Sequence, residues 1–141
     1  MTEDDARSLA TRHHRFGWWA LAVFMSAGLI LESLQGFRVP WLVDVDVETR
    51  RTMFRLAHAH GAVLGLVNLA LASSLRSGAL HGLATPSRTS TMVIAGSIGL
   101  PAGFLLGGVW FFDGDPGLGI LLVPVAALLL IAALLDVARR A

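Results

Sequence analysis

Four apolar runs dominate the sequence and restrict the folds that are open to it. They occupy residues 16–37, 53–75, 91–112 and 117–138. Each is close to the ~20 residues that an α-helix needs to cross a ~30 Å hydrocarbon core. Only 15% of the residues are charged, whereas a soluble domain carries roughly a quarter. Because four spans leave no room for a soluble domain, the sequence predicts an all-α, polytopic membrane protein, with residues 1–141 forming one four-transmembrane-helix bundle.

The arginines are distributed unevenly between the two sides of the predicted bundle. The connections on one side and both termini carry Arg7, Arg12, Arg15, Arg76, Arg88, Arg139 and Arg140. The other side has Arg38, Arg50 and Arg51, diluted by Asp44, Asp46, Glu48, Asp113 and Asp115. Since cytoplasmic loops are enriched in basic residues, the pattern predicts that both termini are cytoplasmic. Residues 1–15 are polar and are expected to fray or to lie on the membrane surface.

The stretch RLAHAHGAVLG places three polar side chains, Arg55, His58 and His60, inside the second apolar run. At about 100° per residue, His58 lies on the same helix face as Gly61, Gly65 and Asn68. That small and polar stripe is typical of a helix–helix interface in lipid. Asn68 is also assigned to the outer polar cluster around His58. His60 points about 160° away from His58. The two imidazoles therefore cannot chelate one metal ion together from an unbroken helix.

Polar groups of the first two runs are predicted to meet in the outer third of the membrane. Glu32 and Gln35 lie near the outer end of the first run, at the depth of Arg55 and His58 in the second. Ionisable groups at such depth are costly and by default mark a functional site. Two structural alternatives stay open, namely a Glu32–Arg55 ion pair that only joins helices, and a His58 that hydrogen-bonds Glu32 or a backbone carbonyl. Met25 is expected to lie too deep to take part.

Glycines recur along the second and third runs. Gly99, Gly103 and Gly107 repeat every four residues, a spacing that favours close helix packing and alternatively offers a flat face to a planar ligand. Gly61 and Gly65 are assigned to packing on the second helix. The remaining histidines, His13, His14 and His81, are expected to be solvated near the cytoplasmic interface.

The string LAHAHG resembles a feature of the haem–copper oxidase superfamily. In the catalytic subunit of that superfamily, one transmembrane helix uses two histidines, two residues apart, to ligate two haems on opposite faces. The resemblance therefore implies that His58 and His60 ligate haem. It covers about six residues, and the copper-ligating histidines and other spans of those enzymes have no counterpart here, so oxygen or nitric oxide reduction is not implied.

The whole chain is also similar to a group of uncharacterised small four-helix bacterial membrane proteins. The strings LAHAHGAVLGLVNLA and GDPGLGILLVPVAALLL carry this similarity. It implies a multi-pass location in the bacterial cytoplasmic (inner) membrane, and it names no activity.

Two functional hypotheses follow. In the first, the protein binds haem or a transition metal (copper, zinc or iron) in a redox, sensing or carrier role, because neutral imidazole is the usual ligand in a chain without cysteine. His58 then ligates inside the bundle with Glu32 and Gln35 orienting its ring, and His60 ligates on the outer helix face at a homo-oligomer contact. In the second, the protein is a non-enzymatic accessory subunit or carrier whose Glu32–Arg55–His58 cluster is structural or proton-responsive.

The expected partners are the lipid bilayer and a second copy of the chain or another membrane protein. No basic patch with interleaved aromatic residues is present, so nucleic acid is not an expected partner. No Ser-His-Asp set or phosphate-binding loop is recognisable, which makes a freestanding hydrolase or transferase the least favoured class.

Overall fold

The computed structural model describes residues 2–44, 47–80 and 86–139, and these are helical apart from short turns. The helices are α1 (Glu3–Gly36), α2 (Pro40–Val43), α3 (Glu48–Arg76), α4 (Pro86–Val109) and α5 (Leu122–Ala138), the last preceded by a 3-10 turn at Leu118–Leu121. The described ranges contain no β-strand, only one isolated bridge between Phe112 and Asp115. Four helical segments are long and apolar enough to cross a membrane, which confirms the predicted all-α class with four candidate spans.

Helix α1 begins much earlier than the first apolar run. Thr2 and Asp5 form a capping box, in which the Asp5 amide donates to Thr2 Oγ1 and the Thr2 amide donates to Asp5 Oδ2, both at 3.1 Å. The helix then continues without a break for 34 residues, or about 50 Å. The prediction that residues 1–15 are frayed is therefore wrong for Glu3 onwards, because a cap and continuous packing on other helices hold this segment helical.

The four long helices pack in the order α1, α3, α4, α5, each antiparallel to the next along the chain. Helix α4 also touches α1, whereas α1 and α5 do not pack on each other within the described residues. As a result, the most apolar 18-residue stretch is 39% buried in α3 and 44% buried in α4. The corresponding stretch is only 17% buried in α1 and in the segment formed by the 3-10 turn and α5. The arrangement is thus a row with α3 and α4 at its centre, and α1 and α5 leave one face each uncovered.

The two ends of the bundle differ. At the end where α1 begins and α5 ends (the termini end), the core contains residues from all four long helices, among them Ala10, Leu75, Val93 and Ala133. At the opposite end (the loop end), the Arg50 guanidinium lies over Trp41 and Phe111, 4.7 Å and 5.0 Å from the ring centroids. The loop end therefore ties the α1–α3 connection to the α4–α5 connection by cation–π contacts.

Candidate functional site

A cavity of about 530 Å³ lies between α1 and α3 near the loop end, and is called the loop-end cavity below. Helix α1 contributes Met25, Gly28, Leu29, Leu31, Glu32 and Gln35 to its lining, and α3 contributes Arg55, His58 and Ala59. Four polar side chains predicted to cluster, Glu32, Gln35, Arg55 and His58, are therefore brought to one cavity. Met25, expected to lie too deep, lines the same cavity because it precedes Gly28 by about one helical turn.

His58 is positioned by the crossing of α1 and α3. Its ring lies directly on Gly28, so closely that a Cβ at this glycine would overlap the ring. Nδ1 is 2.6 Å from the Phe24 carbonyl oxygen. Since a carbonyl can only accept, Nδ1 carries the proton and donates, which leaves Nε2 of the neutral ring with a lone pair. No hydrogen bond within the described part of the chain reaches Nε2.

Glu32 and Arg55 both line the cavity but do not form an ion pair with each other. Within the described residues, the salt bridge that does form is the exposed one between Arg7 and Glu3. The close contact between α1 and α3, in which His58 lies on Gly28, is about one helical turn deeper than Glu32 and Arg55. Glu32 and Arg55 are left on the exposed rim of the cavity.

His60 faces α4, not the outside of the bundle. Its Nδ1 donates to the carbonyl oxygen of Leu56, one turn earlier in the same helix, at 2.8 Å. Its ring packs against Phe104, with 5.0 Å between the ring centroids. His58 and His60 do look in different directions, one to α1 and one to α4. The expectation that His60 lies on the outer face of α3 is wrong, because α4 covers the side of α3 opposite to α1.

The donors needed for a bare metal ion are not assembled. No group of three or more histidine, cysteine, aspartate or glutamate side chains suitable for a metal lies within residues 2–44, 47–80 and 86–139. His58 shares the loop-end cavity with one carboxylate, Glu32. A structural zinc site needs four protein ligands and a catalytic one needs three. His58 and His60 point to different helices and so cannot complete such a set together.

A second polar cluster, which the sequence did not predict, lies towards the termini end. His13 is fully buried, with its Nδ1 2.6 Å from Asn68 Oδ1 and its Nε2 2.8 Å from Ser90 Oγ. The Asn68 amide nitrogen donates to the Leu64 carbonyl and to Ser97 Oγ, at 2.8 Å and 2.9 Å. Asn68 Oδ1 thus accepts from His13 Nδ1, and Nε2 accepts from Ser90. A neutral His13 is fully satisfied in this buried network, the His13–Asn68 network.

This network changes two assignments. His13 is buried and not solvated, and Asn68, grouped by sequence with the outer polar cluster, lies about 15 Å along α3 from His58. The neighbouring His14 is half-buried and accepts from Trp18 Nε1 at 3.2 Å, and His81 falls outside the described residues. The sequence did contain a signal for the burial of His13. At helical spacing, His13 and Gly17 in the arginine-rich segment lie on the same face of α1 as Phe24 and Gly28.

Most of the predicted packing glycines lie at close helix contacts. A Cβ at Gly65 would come within 3.2 Å of the Gly17 carbonyl oxygen on α1, and one at Gly61 would overlap the Phe24 ring. On α4, a Cβ at Gly99 would approach Ala126 Cβ to 3.1 Å and one at Gly103 would approach Val123 Cγ2 to 2.8 Å, both on α5. Gly107 is looser, with its nearest neighbours at 3.6 Å. Because α5 and the segment just before it cover these glycines, this face of α4 is not open to a planar ligand.

Comparison of the chain with protein-family models, with curated proteins and with solved structures finds no match.

Proposed function

We propose that the protein binds a haem in the loop-end cavity, with His58 as an axial ligand, in a redox, sensing or carrier role. The observation that carries this proposal is the hydrogen bond from His58 Nδ1 to the Phe24 carbonyl. Metal-ligating histidines almost always donate their other ring N–H to a carbonyl, carboxylate or water, which fixes the tautomer and the ring orientation. His58 has that arrangement, and its side chain lines a cavity.

The donor set supports haem over a bare copper, zinc or iron ion. Haem brings four nitrogen ligands of its own and asks the protein for one or two axial groups, of which histidine and methionine are common choices. The cavity lining contains one imidazole and one thioether, those of His58 and Met25. Its volume of about 530 Å³ lies within the ~300–1,000 Å³ usual for small-molecule sites.

The other lining residues have distinct roles in this proposal. Leu29 and Leu31 give the cavity an apolar wall, and Glu32, Gln35 and Arg55 place hydrogen-bonding groups at its rim. When bound, haem would supply one-electron transfer or the binding of a small gas. His60, packed on Phe104, would serve as a ligand only after displacement of that ring, so it is the weaker of the two candidates.

The test is an absorption spectrum of protein purified in mild detergent from cells supplied with a haem precursor, before and after reduction with dithionite. We expect a Soret band that shifts on reduction. His58→Gln keeps a donor for the Phe24 carbonyl but removes the imidazole. The amount of haem bound per protein should therefore fall about tenfold or more. His60→Gln is the matched control and should retain it. A folded wild-type protein without a Soret band, or equal haem in His58→Gln, would overturn the proposal.

A second candidate is a non-enzymatic membrane component in which the Glu32–Arg55–His58 cluster is structural or responds to protons. It is supported by the same hydrogen bond, since Phe24 belongs to α1 and His58 to α3, and the bond joins the two helices. This candidate requires no chromophore. If this candidate is right, His58→Leu lowers the stability of a protein that contains no haem. If the haem proposal is right, the same variant changes the absorption spectrum.

We propose further that the protein resides in a bacterial inner membrane with a second copy or another membrane protein beside it. The poorly buried spans of α1 and α5 support this, because each leaves one face to lipid or to a partner. Cross-linking of the protein in native membranes, followed by mass determination, would separate a homo-oligomer from a hetero-complex and from a monomer.

A further inference from the structure

A second cavity at the loop end is lined mainly by arginines. It has a volume of about 440 Å³, and its lining consists of Gln35, Arg38, Val43, Arg51 and Arg55. It is called the arginine cavity. Gln35 and Arg55 also line the loop-end cavity, so the two adjoin. No carboxylate is among the described residues that line the arginine cavity.

Helix α3 supplies two of the arginines from one face. Arg51 and Arg55 are four residues apart, which places their side chains about one helical turn from each other. Arg51 is half-buried, and its Nη1 donates to the Val43 carbonyl at 3.2 Å and lies 3.5 Å from that of Leu42. A guanidinium has five N–H donors in a rigid fork, so Arg51 is fixed by α2 and still has donors to offer.

Arg38 enters the cavity from a strained backbone position. It follows the end of α1 with a φ of 51°. Its amide donates to the Gln35 carbonyl at 3.1 Å, and the amide of Val39 donates to the Leu34 carbonyl at 2.9 Å. These two bonds form a Schellman motif, whose left-handed position is usually glycine. Arg38 therefore occupies a site where local preference favours glycine, and strain of this kind concentrates at functional sites.

None of the three guanidinium groups forms an ion pair within the described part of the chain. The salt bridge formed within the described ranges is Arg7–Glu3, at the other end of the molecule. Positive groups gathered at a membrane boundary repel one another and are stabilised by an anion. A phosphate group has several acceptor oxygens and matches the planar fork of arginine, which often binds it through two parallel hydrogen bonds.

We propose that Arg38, Arg51 and Arg55 form a phosphate-binding site at the loop end. The shared chemistry is a phosphate group, carried either by a lipid headgroup or by a soluble compound. This site goes beyond the proposed haem function, because Arg38 and Arg51 do not line the loop-end cavity and the site needs no haem. The site lies at the end of α1 and the start of α3, at the outer boundary of the first two apolar runs.

The experiment uses the full chain in a phosphate-free maltoside detergent, with its haem content measured beforehand. Thermal unfolding is followed while either inorganic phosphate or a short-chain phosphatidylglycerol is added, with ionic strength held constant by chloride. We expect a saturable rise in the unfolding temperature with at least one probe, because a ligand that binds only the folded state stabilises it. A response to the lipid alone indicates a headgroup site, and a response to inorganic phosphate indicates a soluble ligand.

Matched variants assign the effect to the cavity. Arg38→Gly should stay folded, since glycine suits the left-handed position, and should weaken the apparent affinity roughly tenfold or more. Arg55→Gln should weaken it similarly. Arg76→Gln makes the same charge change at the termini end of α3 and should leave the affinity within about twofold of wild type. The proposal is overturned if neither probe gives a saturable shift, or if Arg38→Gly and Arg76→Gln bind as wild type does.

Discussion

His13 illustrates how a single polar residue can be satisfied in the apolar interior of a bundle. It has no exposed surface, and it shares hydrogen bonds with Asn68 on α3 and Ser90 on α4. A buried polar group costs free energy unless its donors and acceptors are paired. The network links α1, α3 and α4 at one point, so it fixes the rotation of three helices about their axes.

We predict that His13 and Asn68 are energetically coupled. Asn68→Leu should lower the free energy of unfolding by about 1–3 kcal/mol, because it leaves the His13 N–H and the Ser97 hydroxyl without their partner. His13→Leu should cost a similar amount. The double variant should cost clearly less than the sum, since it leaves neither the His13 N–H nor the Asn68 side-chain oxygen without its partner. Unfolding by denaturant in mixed micelles measures all three.

His14→Leu is the control for this cycle. His14 is half-buried and bonded to Trp18 within its own helix. The His14→Leu substitution should therefore change the free energy of unfolding by no more than about 0.5 kcal/mol. Strict additivity of the His13 and Asn68 effects would mean that the two side chains are not energetically coupled.

The helix pairs α1–α3 and α4–α5 are held by close backbone approach. Gly17 on α1 meets Gly65 on α3, and Gly103 on α4 meets Val123 on α5. Within lipid there is no hydrophobic force between helices, so dispersion contacts of this kind, together with interhelical hydrogen bonds, hold them together. The absence of a Cβ at these positions is thus a requirement of packing and not of backbone conformation.

We predict that Gly103→Ala destabilises the α4–α5 pair and that Gly107→Ala does not. A Cβ at Gly103 would lie 3.0 Å from the Val123 amide nitrogen and 3.2 Å from the Gly119 carbonyl oxygen, which are backbone atoms that cannot rotate away. The expected cost is about 1–3 kcal/mol. At Gly107 the nearest atoms are at 3.6 Å, an ordinary contact, so alanine should be neutral or stabilise slightly.

The measurement is the unfolding free energy of both variants in the same detergent. Because the substitution is identical and both glycines are buried in α4, differences in helix propensity cancel. Equal effects at the two positions would show that the contact with Val123 does not limit how closely α4 and α5 approach.

On the scale of the whole molecule, two polar regions lie at opposite ends of an apolar row of helices. The loop end has the loop-end cavity and the arginine cavity, and the His13–Asn68 network lies towards the termini end. Leu64, Leu100, Ala126 and Leu130 form a core cluster between them. Since this apolar layer separates the two regions, no chain of described polar groups connects them across the bundle.

We predict that the termini end faces the cytoplasm. That end carries Arg7, Arg12, Arg15, Arg76 and Arg88, and arginines are retained on the cytoplasmic side during insertion. Green fluorescent protein fused after residue 141 should therefore fluoresce in a bacterial host. Alkaline phosphatase inserted in the turn at residues 113–114 should be active, because it would be exported. An active phosphatase fused at the C-terminus would contradict the prediction. The loop-end cavity and the arginine cavity would then face the cytoplasm.

The site was predicted from sequence as a set of residues but not as a geometry. Depth along a helix follows from residue count, so Glu32, Gln35, Arg55 and His58 could be assigned to one level and do line one cavity. The contacts between them could not be assigned, because they depend on what fills the α1–α3 contact. In the structure, His58 lies on Gly28 and donates to the Phe24 carbonyl, and Glu32 and Arg55 line the rim without an ion pair.

Hydropathy and periodicity alone determined the helical class, the four candidate spans and the different directions of His58 and His60, because these depend only on positions along one helix. Tertiary structure alone decided which helix each face meets. His60 meets Phe104 of α4, and His13 meets Asn68 across 55 positions of sequence. Such pairings depend on the order and rotation of packed helices, and these are set by many weak contacts summed over the whole interface, which no local stretch of sequence contains.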